Sequence, residues 1–376
     1  MTPGVLPAAP VAQLEAKLAS GADREDFDMR DAAELPLLTP FPVLHGALEF
    51  LAASVAPLWF KADCEAKRHQ KRHTWLARTA VATGTGAIVL AVVQLGLKQS
   101  WASLTHTAGL LEGIIVLAGV ASVIMGHLAR SDRKWLGYRH RAECLRMLKF
   151  RALANPTLWS GNVEGWRRWV EEEIKKLPAA GDFRGTEAWS RQDRPESEEP
   201  EIRGVAASPD SRQALTTYYK HKRLLNQQEY FRRRGAAAQA SWTVRWRDHR
   251  LWLFVVTIGC VLFHFGADSV AVRLGQQNFS ETARAWEMAS LWGIVLAVIL
   301  PIVGIGVRAW SAAFELSRKA RSFDAKRAAM EKAAQRLGGG TEDLSRILKH
   351  MAHDELFLEQ EHREWLRLLL DAEWFL

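Results

Sequence analysis

Four long stretches that are almost free of charge constrain this 376-residue chain more than any other feature. A helix needs roughly 20 apolar residues, within a range of about 17–25, to cross the hydrocarbon core of a bilayer. Each stretch meets that length, and none shows the polar face that a helix of a water-soluble protein repeats every third or fourth residue. The sequence therefore predicts four membrane-spanning helices, at residues 79–97, 110–128, 251–267 and 288–307.

Basic residues crowd one side of every predicted span. They precede the first and third spans and follow the second and fourth, whereas the two loops within the pairs are poor in uncompensated basic residues. This is the positive-inside distribution, and it predicts two external hairpins with both termini in the cytosol. The basic residues are Lys67, Arg68, Lys71, Arg72, Arg78, Arg130, Arg133, Lys134, Arg245, Arg247, Arg250, Arg308, Arg318, Lys319 and Arg321.

The remainder of the chain predicts an all-α protein with long cytosolic helices. Residues 1–41 have neither the basic start nor the apolar run of a signal peptide, and we expect them to form a disordered cytosolic leader. Residues 181–210 are rich in Pro, Gly, Ser and acidic residues, which is typical of a flexible linker. They divide the chain into a first two-span half, residues 42–180, and a second two-span half, residues 211–376, which ends in cytosolic helices with coiled-coil character.

Few ionisable residues lie within the spans, and those that do are near the span ends. Glu112 and Glu287 are candidates for an external pore mouth in an oligomer, although an interfacial position explains both equally simply. The absence of a charged row at the midplane disfavours a proton-coupled transporter. Pro301 is expected to kink the fourth span, and Gly109 with Gly113 forms a GxxxG pattern that would allow close helix packing.

The sequence contains little that indicates catalysis. It has no P-loop and no serine nucleophile motif, and its three cysteines are too few and too scattered for a disulfide framework. His350 and His353 share a helical face, but HExxH is absent and we interpret this stretch as a solvated charged surface. We therefore predict no enzyme, no cofactor and no metal site. The basic segments all adjoin spans, so nucleic-acid binding is not predicted.

The stretch after the second span resembles a motif of a known family. Its pattern W-x-x-Y-R-x-x-A-E-x-L-R is formed by Trp135, Tyr138, Arg139, Ala142, Glu143, Leu145 and Arg146. This helix is similar to one in the SLATT family, the SMODS and SLOG-associating two-TM effectors, in the four-span form found beside TRPM-like SLOG domains. Further, looser matches to that form are Gln227, Tyr230, Pro301, Gly304, Arg308 and Glu315.

The resemblance implies a membrane effector of the bacterial inner membrane. Such effectors are expected to oligomerise and to form pores or perturb the membrane in nucleotide-signal-linked antiviral defence. The motif residues Trp135, Tyr138, Arg139, Ala142, Glu143 and Arg146 would then act in gating or docking. About 78 residues precede the first span, too few for a SLOG sensor. Sensing would then come from a separate SLOG or nucleotide-signalling protein, or from the helical cytosolic region itself. The alternative is a membrane scaffold that forms no pore and recruits a soluble partner through its cytosolic helices.

Overall fold

The computed structural model of the chain describes residues 10–21, 26–100, 102–192, 202, 204–240, 250–277, 279–314, 316–338 and 342–370. Within these ranges every regular element is a helix, and none is a strand. The all-α prediction is therefore confirmed for the part of the chain that is described.

In its described residues the first half of the chain forms eight α-helices, two of which are long. Two short 3₁₀ helices, Phe27–Met29 and Leu35–Leu38, lie between the first two. The helices are α1 Pro10–Ala19, α2 Pro42–Ser54, α3 Ala56–Ser100, α4 Ala102–Ala129, α5 Ser131–Leu153, α6 Pro156–Trp159, α7 Val163–Lys176 and α8 Phe183–Arg191.

The second half begins with an irregular helix. A π-helix at Lys220–Leu225 joins two α-helices without a break in the helical path, and this wider turn is rare in proteins. The α-helices are α9 Pro209–Tyr219, α10 Asn226–Gln239, α11 Arg250–Gln276, α12 Ser280–Phe314, α13 Leu316–Arg336 and α14 Leu344–Leu370.

The chain divides into two compact units, and each draws on both ends of the sequence. The polar unit comprises residues 1–70, 132–235 and 321–373, and the apolar unit comprises residues 71–131, 236–320 and 374–376. These units cut across the two halves predicted from the sequence, since each unit contains segments from both. Helix α3 contributes to both units, with Gln70 the last residue in the polar unit and Lys71 the first in the apolar one.

The apolar unit contains the four predicted spans. Helices α3, α4, α11 and α12 are each long and apolar enough to cross a bilayer, which confirms that part of the prediction. Large hydrophobic side chains on them are exposed, among them Leu117 and Leu128 at 71% and 76%. Such an extended apolar surface is unstable in water and natural in lipid. The third helix continues beyond the predicted end at residue 267, as far as Gln276.

Small residues let α3 approach two other helices of the apolar unit closely. A Cβ atom added at Gly119 of α4 would lie 2.8 Å from Thr83 Oγ1, and one at Gly306 of α12 would lie 2.6 Å from Thr85 Oγ1. In lipid, helices associate through such close packing rather than through a hydrophobic driving force. Within this chain the predicted GxxxG pair makes looser contacts: a Cβ at Gly109 would lie 3.8 Å from Gln94 Oε1 of α3, and one at Gly113 would meet nothing within 4 Å.

Pro301 lies inside α12, which continues through it to Phe314. The proline has no N–H group, so the carbonyl of Ala297 loses its usual helical donor. The residue therefore does not end the helix, although it removes one hydrogen bond from it.

The polar unit has a continuous hydrophobic core with several large aromatic residues. Trp166, Tyr218, Tyr219 and Phe150 are completely buried, and Trp59 is 2% exposed. They come from four helices that lie far apart in the sequence, so this core is formed only by the tertiary fold.

The prediction of a disordered leader is wrong for residues 10–21 and 26–41. Helix α1 buries Leu14 and Leu18 completely, and the first 3₁₀ helix buries Phe27 and Met29. Several acidic residues of this segment pair with basic residues of distant helices. Residues 1–9 and 22–25 lie outside the described part of the chain.

The prediction of a flexible linker at 181–210 is also wrong for part of its length. Asp182 caps α8 by accepting a hydrogen bond from the Gly185 amide at 3.1 Å. The helix is held to α14, where Arg367 Nε donates to the Ser190 carbonyl at 2.6 Å. Residues 193–201 and 203 lie outside the described residues.

Gly306 provides a test of helix packing in the apolar unit. We expect Gly306→Ala to lower the thermal midpoint of the purified protein in detergent, because the new methyl group would overlap Thr85. Gly304→Ala is the matched control two residues away, where the nearest atom is Leu253 Cδ1 at 3.8 Å. Equal midpoints for the two variants, measured by intrinsic fluorescence during heating, would contradict the packing described.

Candidate functional site

The motif helix α5 lies in the polar unit, and its motif residues lie on the inner side of the helix. Ala142 is fully buried, and Trp135 packs edge-on against Trp365 of α14. Tyr138 stacks on His69 of α3 with nearly parallel rings. The motif therefore docks α5 against other helices rather than presenting a surface patch.

Three charged motif residues meet on this helix. Glu143 Oε1 lies 2.5 Å from Arg139 Nη2 and 2.7 Å from Arg146 Nη1. Burial favours a higher pKa for the Glu143 carboxyl, but the charges of Arg139 and Arg146 outweigh it and leave that pKa well below its usual range. Glu143 is therefore an anion that joins two cations on one face of α5. Arg139 also lies 3.2 Å from Asp63 of α3.

Arg146 and Lys149 connect α5 to the amino-terminal segment. Arg146 Nε is 2.6 Å from Asp28 Oδ2, and its guanidinium lies over the Trp59 ring. Lys149 Nζ donates to Asp31 Oδ2 and to the Asp28 carbonyl, both at 2.6 Å. Asp28, Asp31 and Lys149 are each less than 5% exposed, and Arg146 is 6% exposed. The contacts are therefore strong, and salt screens them poorly.

The π-helix supplies two further cations to the same segment. Lys222, which is fully buried, donates to the carbonyls of Phe27 and Arg30 at 3.0 and 2.7 Å. Arg223 forms a two-point pair with Glu355 of α14, with both N–O distances 2.7 Å. Residues 222 and 223 are consecutive in the π-helix, and both are buried.

Two tyrosines before the π-helix complete the cluster. Tyr218 donates its hydroxyl proton to Asp31, and Tyr219 donates to Glu355 Oε1 at 3.1 Å. Burial raises the pKa of both hydroxyls, and the neighbouring carboxylates raise it further, so both tyrosines are neutral donors. We call the whole set the ion-pair network: Asp28, Asp31, Glu34, Asp63, Arg139, Glu143, Arg146, Lys149, Tyr218, Tyr219, Lys222, Arg223 and Glu355.

Asp28 is the least satisfied member of the network. Its carboxylate is 1% exposed and lies 2.6 Å from Arg146 Nε and 4.0 Å from Arg223 Nη1. Among the described residues neither of its oxygens accepts an aligned hydrogen bond. The carboxylate is thus held by the charges of two arginines, and its position depends on both of them.

Sequence analysis identified three members of this network and missed the others. It selected Arg139, Glu143 and Arg146 by resemblance, but not their partners. Elsewhere in the network the contacts also join distant residues: Lys149 and Asp31 are 118 positions apart, and Lys222 and Phe27 are 195 positions apart. A usable signal was present, because the acids of residues 26–34 alternate with Phe27 and Met29, a pattern that is unusual for a disordered tail.

The predicted pore-mouth residues have separate surroundings. Glu112 of α4 accepts a hydrogen bond from Gln94 Nε2 of α3, which provides a polar partner inside the apolar unit. Glu287 is exposed on α12. A shared pore mouth therefore stays a prediction about an oligomer.

A second cluster in the polar unit is built from histidine and tryptophan. His140 Nδ1 and His362 Nε2 are 3.1 Å apart with stacked rings, and Trp189 packs against both. Burial lowers the pKa of His140 to about 2 and that of His362 to about 4, and the positive neighbours of each add to the effect. Both rings are neutral near pH 7, and one donates to the other.

This histidine cluster has no metal-binding geometry. Cys144 Sγ lies 3.5 Å from His140 Nδ1, and burial raises the pKa of its thiol, so the thiol is unreactive. Across the described residues no group of three His, Cys, Asp or Glu side chains could hold a metal ion. His350 lies 3.7 Å from Glu342 and is not part of this cluster.

In comparisons with protein-family models, curated proteins and solved structures, nothing matched the chain. The functional argument for this protein therefore depends on the two units and on the ion-pair network.

The network can be tested with two glutamates that form the same kind of pair in different surroundings. We expect Glu355→Gln to lower the free energy of unfolding by about 3–5 kcal/mol, because Arg223 is left as an uncompensated buried charge. Glu229→Gln removes a similar two-point pair with Arg232, but that arginine is 65% exposed, so we expect a loss under about 1 kcal/mol. Thermal and denaturant unfolding of the two proteins in the same detergent gives the comparison, and equal losses would contradict a buried network.

The histidine cluster predicts a pH dependence of stability. Each buried histidine has a folded-state pKa below the unfolded value of about 6.5, so its contribution is complete above that pH and is lost as the pH falls towards the folded value. For His362 the loss occurs between about pH 6.5 and 4. We expect His362→Phe, which retains the stacking on Trp365, to reduce the fall in thermal midpoint between pH 7 and pH 4.5.

The control for this pH experiment is His353→Phe, which changes an exposed histidine on the same helix. It should retain the wild-type dependence on pH. A His362→Phe protein whose midpoint falls as steeply as the wild type would show that the buried pair does not carry the effect.

Proposed function

We propose that this chain is a multi-pass effector of the bacterial inner membrane that permeabilises the bilayer when a signal releases its polar unit. Four apolar helices support the membrane part of the proposal. The resemblance of α5 to the SLATT motif supports the effector part. The observation that carries the proposal is that this motif is built into a buried ion-pair network, as a locking contact requires.

The proposed orientation is based on the basic residues at the span ends. By the positive-inside rule, Lys71, Arg72 and Arg78 on α3 and Arg130 after α4 support a cytosolic position for these span ends, and we propose the same side for the polar unit. Both termini are then cytosolic, and the ends of the two helix pairs form external loops. A pore through one chain of four helices would be narrow, so the permeable state is a homo-oligomer.

The backbone between α4 and α5 suggests how a signal could reach the membrane. Helix α4 ends at Ala129 and α5 begins at Ser131, and Arg130 between them has a φ of 45°. This left-handed conformation is strained for a residue with a side chain, at a cost of about 1–3 kcal/mol. The motif helix is therefore joined to an apolar helix by one strained residue, which favours a hinge.

In the proposed mechanism the network holds the closed state. Glu143, Arg146 and Asp28 tie α5 to the amino-terminal segment, and Arg223 and Glu355 tie the π-helix to α14. A signal acts by favouring a state in which these contacts are broken, and it can shift the population only by its differential affinity for that state. A separate SLOG or other nucleotide-signalling protein is the proposed source of that signal.

The proposal predicts leakage when the network is weakened. We expect Glu143→Ala to raise the untriggered release of a small dye from vesicles by at least about tenfold, which corresponds to 1.4 kcal/mol lost from the closed state. The control is Glu229→Ala, which removes from α10 a half-buried carboxylate whose partner Arg232 is exposed. Dye release is measured with full-length protein at equal density in the vesicles.

Three other outcomes would have definite meanings. Absence of release from Glu143→Ala protein that is correctly inserted would contradict the locking role of the network. Recovery of one stoichiometric soluble partner without any change in permeability would favour the scaffold function. Recovery of the full-length chain in the aqueous phase after carbonate extraction would contradict the membrane assignment itself.

A further inference from the structure

A groove in the apolar unit is not used by the proposed locking mechanism. It has a volume of about 450 Å³ and lies between α11 and α12. This size is within the range of sites that hold small ligands. Apolar side chains, glycines and one thiol form its lining, which consists of Val256, Gly259, Cys260, Phe263, Ala289, Trp292, Gly293 and Leu296.

The groove lies beside one glycine at which the two helices touch and includes a second glycine with open space next to it. A Cβ atom at Gly293 would lie 3.4 Å from the Cys260 carbonyl oxygen and 3.1 Å from Phe263 Cδ1, so this glycine allows the close approach of α11. At Gly259, one helical turn away from Phe263, an added Cβ would meet nothing within 4 Å. The open space therefore begins where the contact at Gly293 ends.

Trp292 forms a wall of the groove, and helix α3 packs against the other side of its ring. A Cβ at Gly96 of α3 would lie 3.6 Å from the Cζ2 and Cη2 atoms of its indole ring, so the ring packs against the backbone of a third helix. A wall supported in this way is preformed and does not need to be ordered when a ligand binds.

The lining excludes a polar ligand. Just beyond the groove, His264 Nδ1 lies 2.8 Å from Ser290 Oγ, and the two side chains pair with each other. Within the groove, a bound hydroxyl or amide would lose its hydrogen bonds to water and gain few in return. A hydrocarbon ligand incurs no such loss.

The dimensions favour a lipid chain over a helix from a second copy. The lining spans residues 256–263 of α11, which is about 10 Å or two helical turns at 1.5 Å per residue. Close association of helices in lipid requires small residues at the contact, and Gly293 is already used for the contact within the chain. The open Gly259 lies between Val256 and Phe263, each about one turn away on the same helix and also in the lining. The Trp292 and Phe263 rings would also keep another helix backbone at a distance.

We propose that this groove binds one hydrocarbon chain of a membrane lipid. The inference rests on the proposed function only in requiring that α11 and α12 lie in a bilayer, where such chains surround them. It does not require a pore, a trigger or the ion-pair network.

The test uses full-length protein in vesicles that contain a phospholipid with a diazirine in one acyl chain. After irradiation, adducts are located by mass spectrometry of proteolytic peptides. We expect them to concentrate on residues 256–263 and 289–296. Gly259→Leu should lower the yield there by about tenfold, which corresponds to 1.4 kcal/mol of binding free energy, because its side chain would occupy the groove.

Gly266→Leu is the matched control. Gly266 lies on the same helix with nothing within 4 Å of an added Cβ, but it does not line the groove. We expect its adduct yield to equal that of the wild type. Equal yields in all three proteins, or adducts spread evenly over the exposed apolar faces, would overturn the proposal.

Crosslinking at Cys260 tests whether a second copy of the chain occupies the groove instead of a lipid. In a Cys64→Ser background the buried Cys144 does not react, so a short bifunctional thiol reagent reports contacts at Cys260. Efficient chain-to-chain crosslinking through Cys260 would show a second copy in the groove and overturn the proposal. Resistance of each protein to carbonate extraction is measured in parallel, so that failure of membrane insertion is distinguished from failure of lipid binding.

Discussion

The pairing of buried charges around Asp28 is the interaction on which the polar unit most depends. Arg146 and Arg223 approach this carboxylate from helices that are far apart in the sequence, and each also has a second acidic partner, Glu143 and Glu355. Taking such charges out of water costs several kcal/mol per ion, and the cost is recovered only when every partner is in place. A network of this kind contributes specificity rather than large net stability, and it fails when one member leaves. That property suits the proposed closed state, because a signal must be able to break the contacts that hold it.

The apolar unit follows different physics, because its helices expose the residues that a soluble protein would bury. Their backbone hydrogen bonds are satisfied within each helix, as lipid requires, and their contacts depend on small residues such as Gly119 and Gly306. Where a contact of this kind ends, beyond Gly293, a groove remains between α11 and α12. Helix packing and the proposed lipid site thus have the same origin. Gly293 admits the neighbouring helix, and the open space lies next to Gly259.

Two sequence interpretations failed for the same reason. The acidic amino-terminal segment and the residues around 182–191 have compositions typical of unstructured chain, and both contain helices that bury side chains. Composition reports the average solvation of a segment, whereas Phe27 and Met29 are buried on either side of Asp28, whose carboxylate faces Arg146 of α5 and Arg223 of the π-helix. Local sequence cannot reveal such partners more than a hundred residues away.

By itself the sequence determined the four apolar helices, their approximate positions and the all-helical class, because bilayer thickness and helical periodicity are local constraints that a single segment must satisfy. It also marked Arg139, Glu143 and Arg146 through the resemblance of one helix. Only the tertiary structure decided that these residues are interior, that Lys222 and Arg223 enter the same cluster, and that His140 meets His362. Those contacts join residues as many as 222 positions apart, and their energy depends on burial, which no local pattern specifies.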